Sequence, residues 1–161
     1  MSSPLPPPPP PPSALAPPVP AWEIRRPARP RCPIGAILLI AGAAVITLGA
    51  LLPWFELAGE SFNGFSDIGG EVKDGPAFVL FAIILAGFGV TTLVARRLLP
   101  IAILAVVIAS FSTLAAIVDW SDVRDAVDFV GASTGPGLPV ALVGSLIALA
   151  GGIVALATRR R

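Results

Sequence analysis

The sequence predicts an all-α fold: a four-helix transmembrane bundle with a disordered proline-rich N-terminal tail. Three observations carry this reading. Apolar stretches run over residues 34–52, 76–95, 98–118 and 138–157, and none contains an Asp, Glu, Lys or Arg. Each holds about twenty residues, enough at about 1.5 Å per residue to cross a hydrocarbon core of roughly 30 Å. With 55% hydrophobic and 13% charged residues, the chain has too little polar sequence to clothe four such helices in water. The connecting segments alternate in charge, with nine of the eleven basic residues on one side of the stretches and nine of the ten acids on the other.

The tail comes first. Residues 1–22 contain eleven prolines, unbroken from Pro6 to Pro12. Proline fixes φ and lacks an N–H, so this run favours extended polyproline II and joins no packed core. It reads as a disordered tail, and a ligand for a proline-binding domain or a spacer is the functional alternative. Arg25, Arg26, Arg29 and Arg31 follow in a basic juxtamembrane stretch ending at residue 33, suited to anionic lipid headgroups. Cys32 is the only cysteine, so no intramolecular disulfide forms.

The first span, about 34–52, ends at Pro53-Trp54. An acidic, glycine-rich loop over 53–75 leads to the second span, about 76–95, and a short hairpin at Arg96-Arg97 turns into the third, about 98–118. Phe62 and Phe65 flank Asn63-Gly64, a pair suited to a hairpin turn. In the loop 119–137, Ser121 is placed to cap a short amphipathic helix over 121–130, with Val123, Val127 and Val130 on one face. The fourth span, about 138–157, is followed by a basic C-terminus at 158–161. Basic segments remain cytoplasmic. This places a multi-pass protein in the plasma (inner) membrane, with both termini inside and the acidic loops 53–75 and 119–137 outside. Trp54 and Trp120, at the outer ends of the first and third spans, are expected as interface anchors.

Small residues mark the candidate packing faces. Gly144, Ala148 and Gly152 recur every four residues in the fourth span, with Gly151 and Ala155 beside them, and Gly35, Gly42 and Gly49 recur every seven in the first. Such faces let helix backbones approach closely. Packing within the bundle is the expected use, and contact with another subunit is the alternative. A faint repeat at an offset of 64 relates Ile83–Gly87 to Ile147–Gly151 and carries the first span onto the third.

The composition excludes much chemistry. Without histidine or tyrosine, and with one cysteine on the opposite side from the acids, the common general bases and nucleophiles are missing. No enzyme is expected. The outer acids follow no EF-hand register, so no metal or cofactor is expected either. The arginines are short membrane-flanking clusters without groove-reading partners, which argues against nucleic acid. No ionisable residue lies within a span to serve a proton or ion path.

Leu52-Pro53-Trp54, Asn63-Gly64-Phe65, Asp74-Gly75 and Gly135-Pro136-Gly137-Leu138, together with the proline-rich tail, resemble the small four-span membrane proteins of actinobacteria, including mycobacteria. The resemblance implies a topology and a cell type and assigns no activity. Claudin-like proteins also share four spans and an early loop tryptophan, but they need a cysteine pair that this loop lacks. The functional expectation is a non-enzymatic accessory or scaffold subunit. It would act on an unlike membrane protein through helix faces and the tail. The alternative is a transporter component or an oligomeric pore.

Overall fold

The computed structural model describes residues 33–66, 74–94 and 99–158. The proline-rich tail with Arg25, Arg26, Arg29 and Arg31, the Arg96-Arg97 turn and the closing arginines lie outside the described residues. One compact unit runs from Cys32 to Arg161.

Four long helices form the bundle: α1 (Ile34–Leu51), α2 (Gly75–Val94), α3 (Leu99–Val130) and α4 (Gly137–Ala157). All four are long and apolar enough to cross a membrane. Their burial pattern is the reverse of a water-soluble protein's. Ala36, Ala43, Ala82, Ala105, Ala109 and Ala141 fill the interior, while Leu48, Ile83, Val107, Phe111, Leu114 and Ile153 point outward. Such an arrangement is stable where the surroundings are themselves apolar. The chain is an integral membrane protein with a four-helix transmembrane bundle.

The helices form a ring in the order α1, α2, α3, α4, closed by α1 against α4. That closing contact is the most extensive, α1–α2 and α3–α4 are comparable with each other, and α2–α3 is thin. The sequence explains the asymmetry. At the 64-residue offset, Gly42 and Gly49 of α1 correspond to Val106 and Thr113 of α3, while Gly144 and Ala148 of α4 correspond to Leu80 and Ile84 of α2. The positions that bring the α1 and α4 backbones together thus have larger residues as their counterparts in α3 and α2.

Two features differ from the sequence reading. First, α3 is one unbroken helix of 32 residues. It is about 48 Å long and so exceeds the hydrocarbon core. No separate helix begins at Ser121, whose hydroxyl donates back to the Val118 carbonyl at 2.7 Å instead of capping. Neither Gly nor Pro interrupts the chain between Pro100 and Gly131. The helix ends where Gly131 takes a positive φ of 69° and the Ala132 N–H bonds the Val127 carbonyl at 3.1 Å, the Schellman pattern.

Second, the connections at this end build a small sheet, β1 (Pro53–Leu57), β2 (Glu60–Asn63) and β3 (Ser133–Thr134), in the antiparallel order β2-β1-β3. Its hairpin turn is Ala58-Gly59, both at positive φ, rather than Asn63-Gly64. The Asn63 side chain instead accepts the Phe65 N–H at 3.0 Å in a turn beyond the hairpin. Phe55 and Phe62 stack across the strands with ring centroids 5.1 Å apart.

Candidate functional site

At the sheet-bearing end of the bundle, one tryptophan organises segments far apart in sequence. Pro53 pairs with Asn63 and Phe55 with Phe62, so Trp54 is the extra residue of a β-bulge. A bulge re-aims its side chain, and here the indole enters the bundle. Trp54 is 6% exposed and its ring meets Phe78 of α2 edge-on, with centroids 5.8 Å apart. Its indole N–H donates to the Gly49 carbonyl of α1 at 3.1 Å, so a buried polar atom is satisfied. The ring is therefore inside the protein, which corrects its reading as an anchor in the headgroup layer.

Glycines surround this ring because nothing larger fits. A Cβ on Gly64 would fall 2.6 Å from Trp54 Cζ2, and one on Gly137 would fall 2.5 Å from Trp54 Cδ1. Gly75 packs directly on the Gly64 backbone and donates its N–H to the Gly64 carbonyl at 2.8 Å. Gly135 lies against the Pro53 carbonyl and donates to the Trp54 carbonyl at 2.7 Å, continuing the β1–β3 pairing. Four motifs spread over residues 52–138 thus pack on Trp54 or on the glycines around it. A cavity of about 30 Å³ lies between Trp54, Trp120, Val123, Thr134, Gly135, Leu138 and Pro139, with room for about one water. Trp120 is half-buried against the core.

Asp119 follows the last residue of the uncharged span. Burial, reinforced by the carboxylates of Asp74 and Asp122, raises its pKa from 3.8 to about 6. Among the described residues, no group of three or more His, Cys, Asp or Glu side chains is arranged to hold a metal.

The candidate packing faces resolve into two different contacts. Gly42, Gly49, Gly144 and Ala148 meet in the antiparallel α1–α4 seam, joined by Gly35, Ala141, Gly151 and Ala155. A Cβ on Gly42 would lie 2.5 Å from the Ala148 nitrogen, and one on Gly144 would lie 2.6 Å from the Ile46 nitrogen. Gly152 stands apart from them and faces Val106 of α3. The seam is filled from within the chain, so these residues offer no face to another subunit. Between α3 and α4, Ser112 and Ser145 are fully buried and 2.8 Å apart. Ser145 donates its single proton to the Ala141 carbonyl at 3.0 Å, so Ser112 is the donor between the two hydroxyls.

Sequence reasoning found the seam glycines, Gly35 and Gly151 among them, but missed the tryptophan cage. The available signal was the recurrence of glycine at the sheet-end boundaries of the spans, at positions 49, 64, 75, 135 and 137. Compared with protein-family models, curated proteins and solved structures, the chain matches none.

Proposed function

We propose that this membrane protein acts by interaction rather than catalysis, as an accessory or scaffold subunit for an unlike membrane protein. The observation that carries the reading is the closed interior. Among the described residues, Leu39, Ile46, Phe78 and Leu85 fill it among small residues, the buried Ser112 and Ser145 hydroxyls are hydrogen-bonded, and only the Thr92 hydroxyl is buried without a partner. A bundle so filled leaves its surfaces as the functional part. The α1–α4 seam is occupied, so the contact falls to α2, α3, the sheet end and the proline-rich tail. Two features support this. On α2, a Cβ at Gly87 would meet nothing within 4 Å, leaving room for another helix to approach. On α3, Phe129 is 92% exposed beyond the uncharged span, an aromatic of the kind that anchors protein interfaces. The sheet end with Arg124 is outside, the tail, the Arg96-Arg97 turn and the C-terminal arginines are cytoplasmic, and the type is that of the small actinobacterial four-span proteins.

The test is affinity purification from native membranes in mild detergent. It compares the full chain with Gly87→Leu, Phe129→Ser and a version lacking residues 1–22. An unlike protein co-purifying in stoichiometric amount, and lost with at least one variant, is the expected result. Recovery of the protein alone or only with itself refutes the accessory role and favours the oligomeric pore, which reconstituted flux would then detect.

A further inference from the structure

A second cavity, of about 440 Å³, lies beside the part of α3 that projects beyond the uncharged span. Trp120, Arg124, Val127 and Asp128 line it from the helix, and Ala132, Ser133 and Thr134 line it from the segment that follows the helix. Its size is that of a small-molecule or headgroup site. Trp120, Arg124 and Asp128 are spaced four apart, so they stack along one helix face, each about 6 Å further from the membrane than the last. Counting outward from the bilayer, the wall offers an amphipathic ring, then a cation, then an anion.

A zwitterionic phospholipid presents the complementary order. Its glycerol region lies deepest, its phosphate next and its ammonium outermost. Two features of α3 fit this ligand better than a purely internal role. Asp128 sits in the last turn of the helix, where the macrodipole disfavours an anion but adds to the attraction for a bound cation. Arg124 precedes Asp128 by four residues, the less favourable order for an internal helix ion pair. The hydroxyls of Ser133 and Thr134, in the same lining, add donors for phosphate oxygens.

We infer that this trench is a headgroup site for a zwitterionic aminophospholipid, with Arg124 on the phosphate, Asp128 on the ammonium and Trp120 against the glycerol region. The site rests on the membrane placement of the four helices and is independent of the accessory role. Only lipid of the leaflet at the sheet end reaches it.

The test is native mass spectrometry of the full chain, delipidated in detergent. It is offered equal amounts of phosphatidylethanolamine and phosphatidylglycerol with identical acyl chains, and phosphatidic acid separately. The wild-type chain should retain phosphatidylethanolamine over phosphatidylglycerol by about fivefold, the scale of one exposed charge contact. Asp128→Asn should abolish that preference while leaving phosphatidic acid retention unchanged. Arg124→Gln should weaken retention of both phosphatidylethanolamine and phosphatidic acid. Asp125→Asn, an exposed acid outside the trench, should behave as wild type. Arg124 and Asp128 are exposed, so both variants should keep the wild-type melting temperature. Equal retention of the two lipids by the wild-type chain overturns the site, as does a preference that survives Asp128→Asn.

Discussion

Replacing Gly42 with Ala adds one carbon to the α1–α4 seam, and its cost can be worked from the structure. The new Cβ would lie 2.5 Å from the Ala148 nitrogen, 2.7 Å from the Gly144 oxygen and 2.8 Å from the Ala148 Cα. All three neighbours are backbone atoms, so no side chain can rotate aside. The helices must separate by about 1 Å to restore ordinary contact, and overpacking of this kind costs about 1–3 kcal/mol. Against this, Gly→Ala in a helix gains up to about 1 kcal/mol in backbone propensity. The same substitution at Gly87 carries the propensity gain without the clash, because nothing lies within 4 Å. The difference between the two variants therefore isolates the packing cost, about 2 kcal/mol, or about 5 °C in melting temperature for a chain of this size. The assay is thermal unfolding in mild detergent, followed by size-exclusion chromatography. Gly42→Ala should melt below wild type and Gly87→Ala at or above it. Equal melting temperatures would refute the seam as described. A Gly42→Ala variant of unchanged melting temperature but altered oligomeric state would move the contact between subunits.

Further predictions concern the sheet end. Trp54→Ala should destabilise by about 3–5 kcal/mol through the void left between Phe78 and the glycines. Trp54→Phe should cost less but still lose the bond to the Gly49 carbonyl, about 1 kcal/mol, and thermal melts of the two variants check both values. Ala58→Gly should stabilise by about 1 kcal/mol, because Ala58 holds a φ of 55° that glycine adopts without penalty. Asp119 holds its proton more tightly in the folded protein than at its ordinary value of 3.8, so stability should fall as pH rises from about 4 through about 6. Discounted for its half exposure, the loss is on the order of 1 kcal/mol. Asp119→Asn should flatten that part of the stability–pH curve and raise the melting temperature at pH 7.

The spans were legible because membrane solvation acts on composition. Uncharged runs bounded by arginines at one end and acids at the other specify the four helices without tertiary knowledge. The α1–α4 seam was partly legible, since seven-residue glycine spacing in one helix finds its complement in Gly144 and Ala148 of the other. The sheet end was not, for two reasons. Ser121 has the chemistry of a helix cap, but continuity of α3 outcompetes it once no Gly or Pro intervenes before Gly131. Trp54 resembles an interface residue by position, and only the bulge in β1, a consequence of pairing with β2, turns it inward. The pairing of Phe55 with Thr134 joins residues nearly eighty positions apart, and no local pattern encodes it.

The four-span topology is decided by which side of the membrane each end of α4 occupies. Thr134 and Thr158 are both exposed and lie on either side of that helix. Each is replaced by cysteine in a Cys32→Ser background, and the unaltered chain reports on Cys32 itself. The reagent is a membrane-impermeant maleimide applied to intact cells. Thr134→Cys should label on intact cells, while Thr158→Cys and native Cys32 should label only after permeabilisation. Labelling of Thr134→Cys and Thr158→Cys from the same side would remove α4 as a span. Labelling of Cys32 and Thr158→Cys from opposite sides would contradict the four-span bundle.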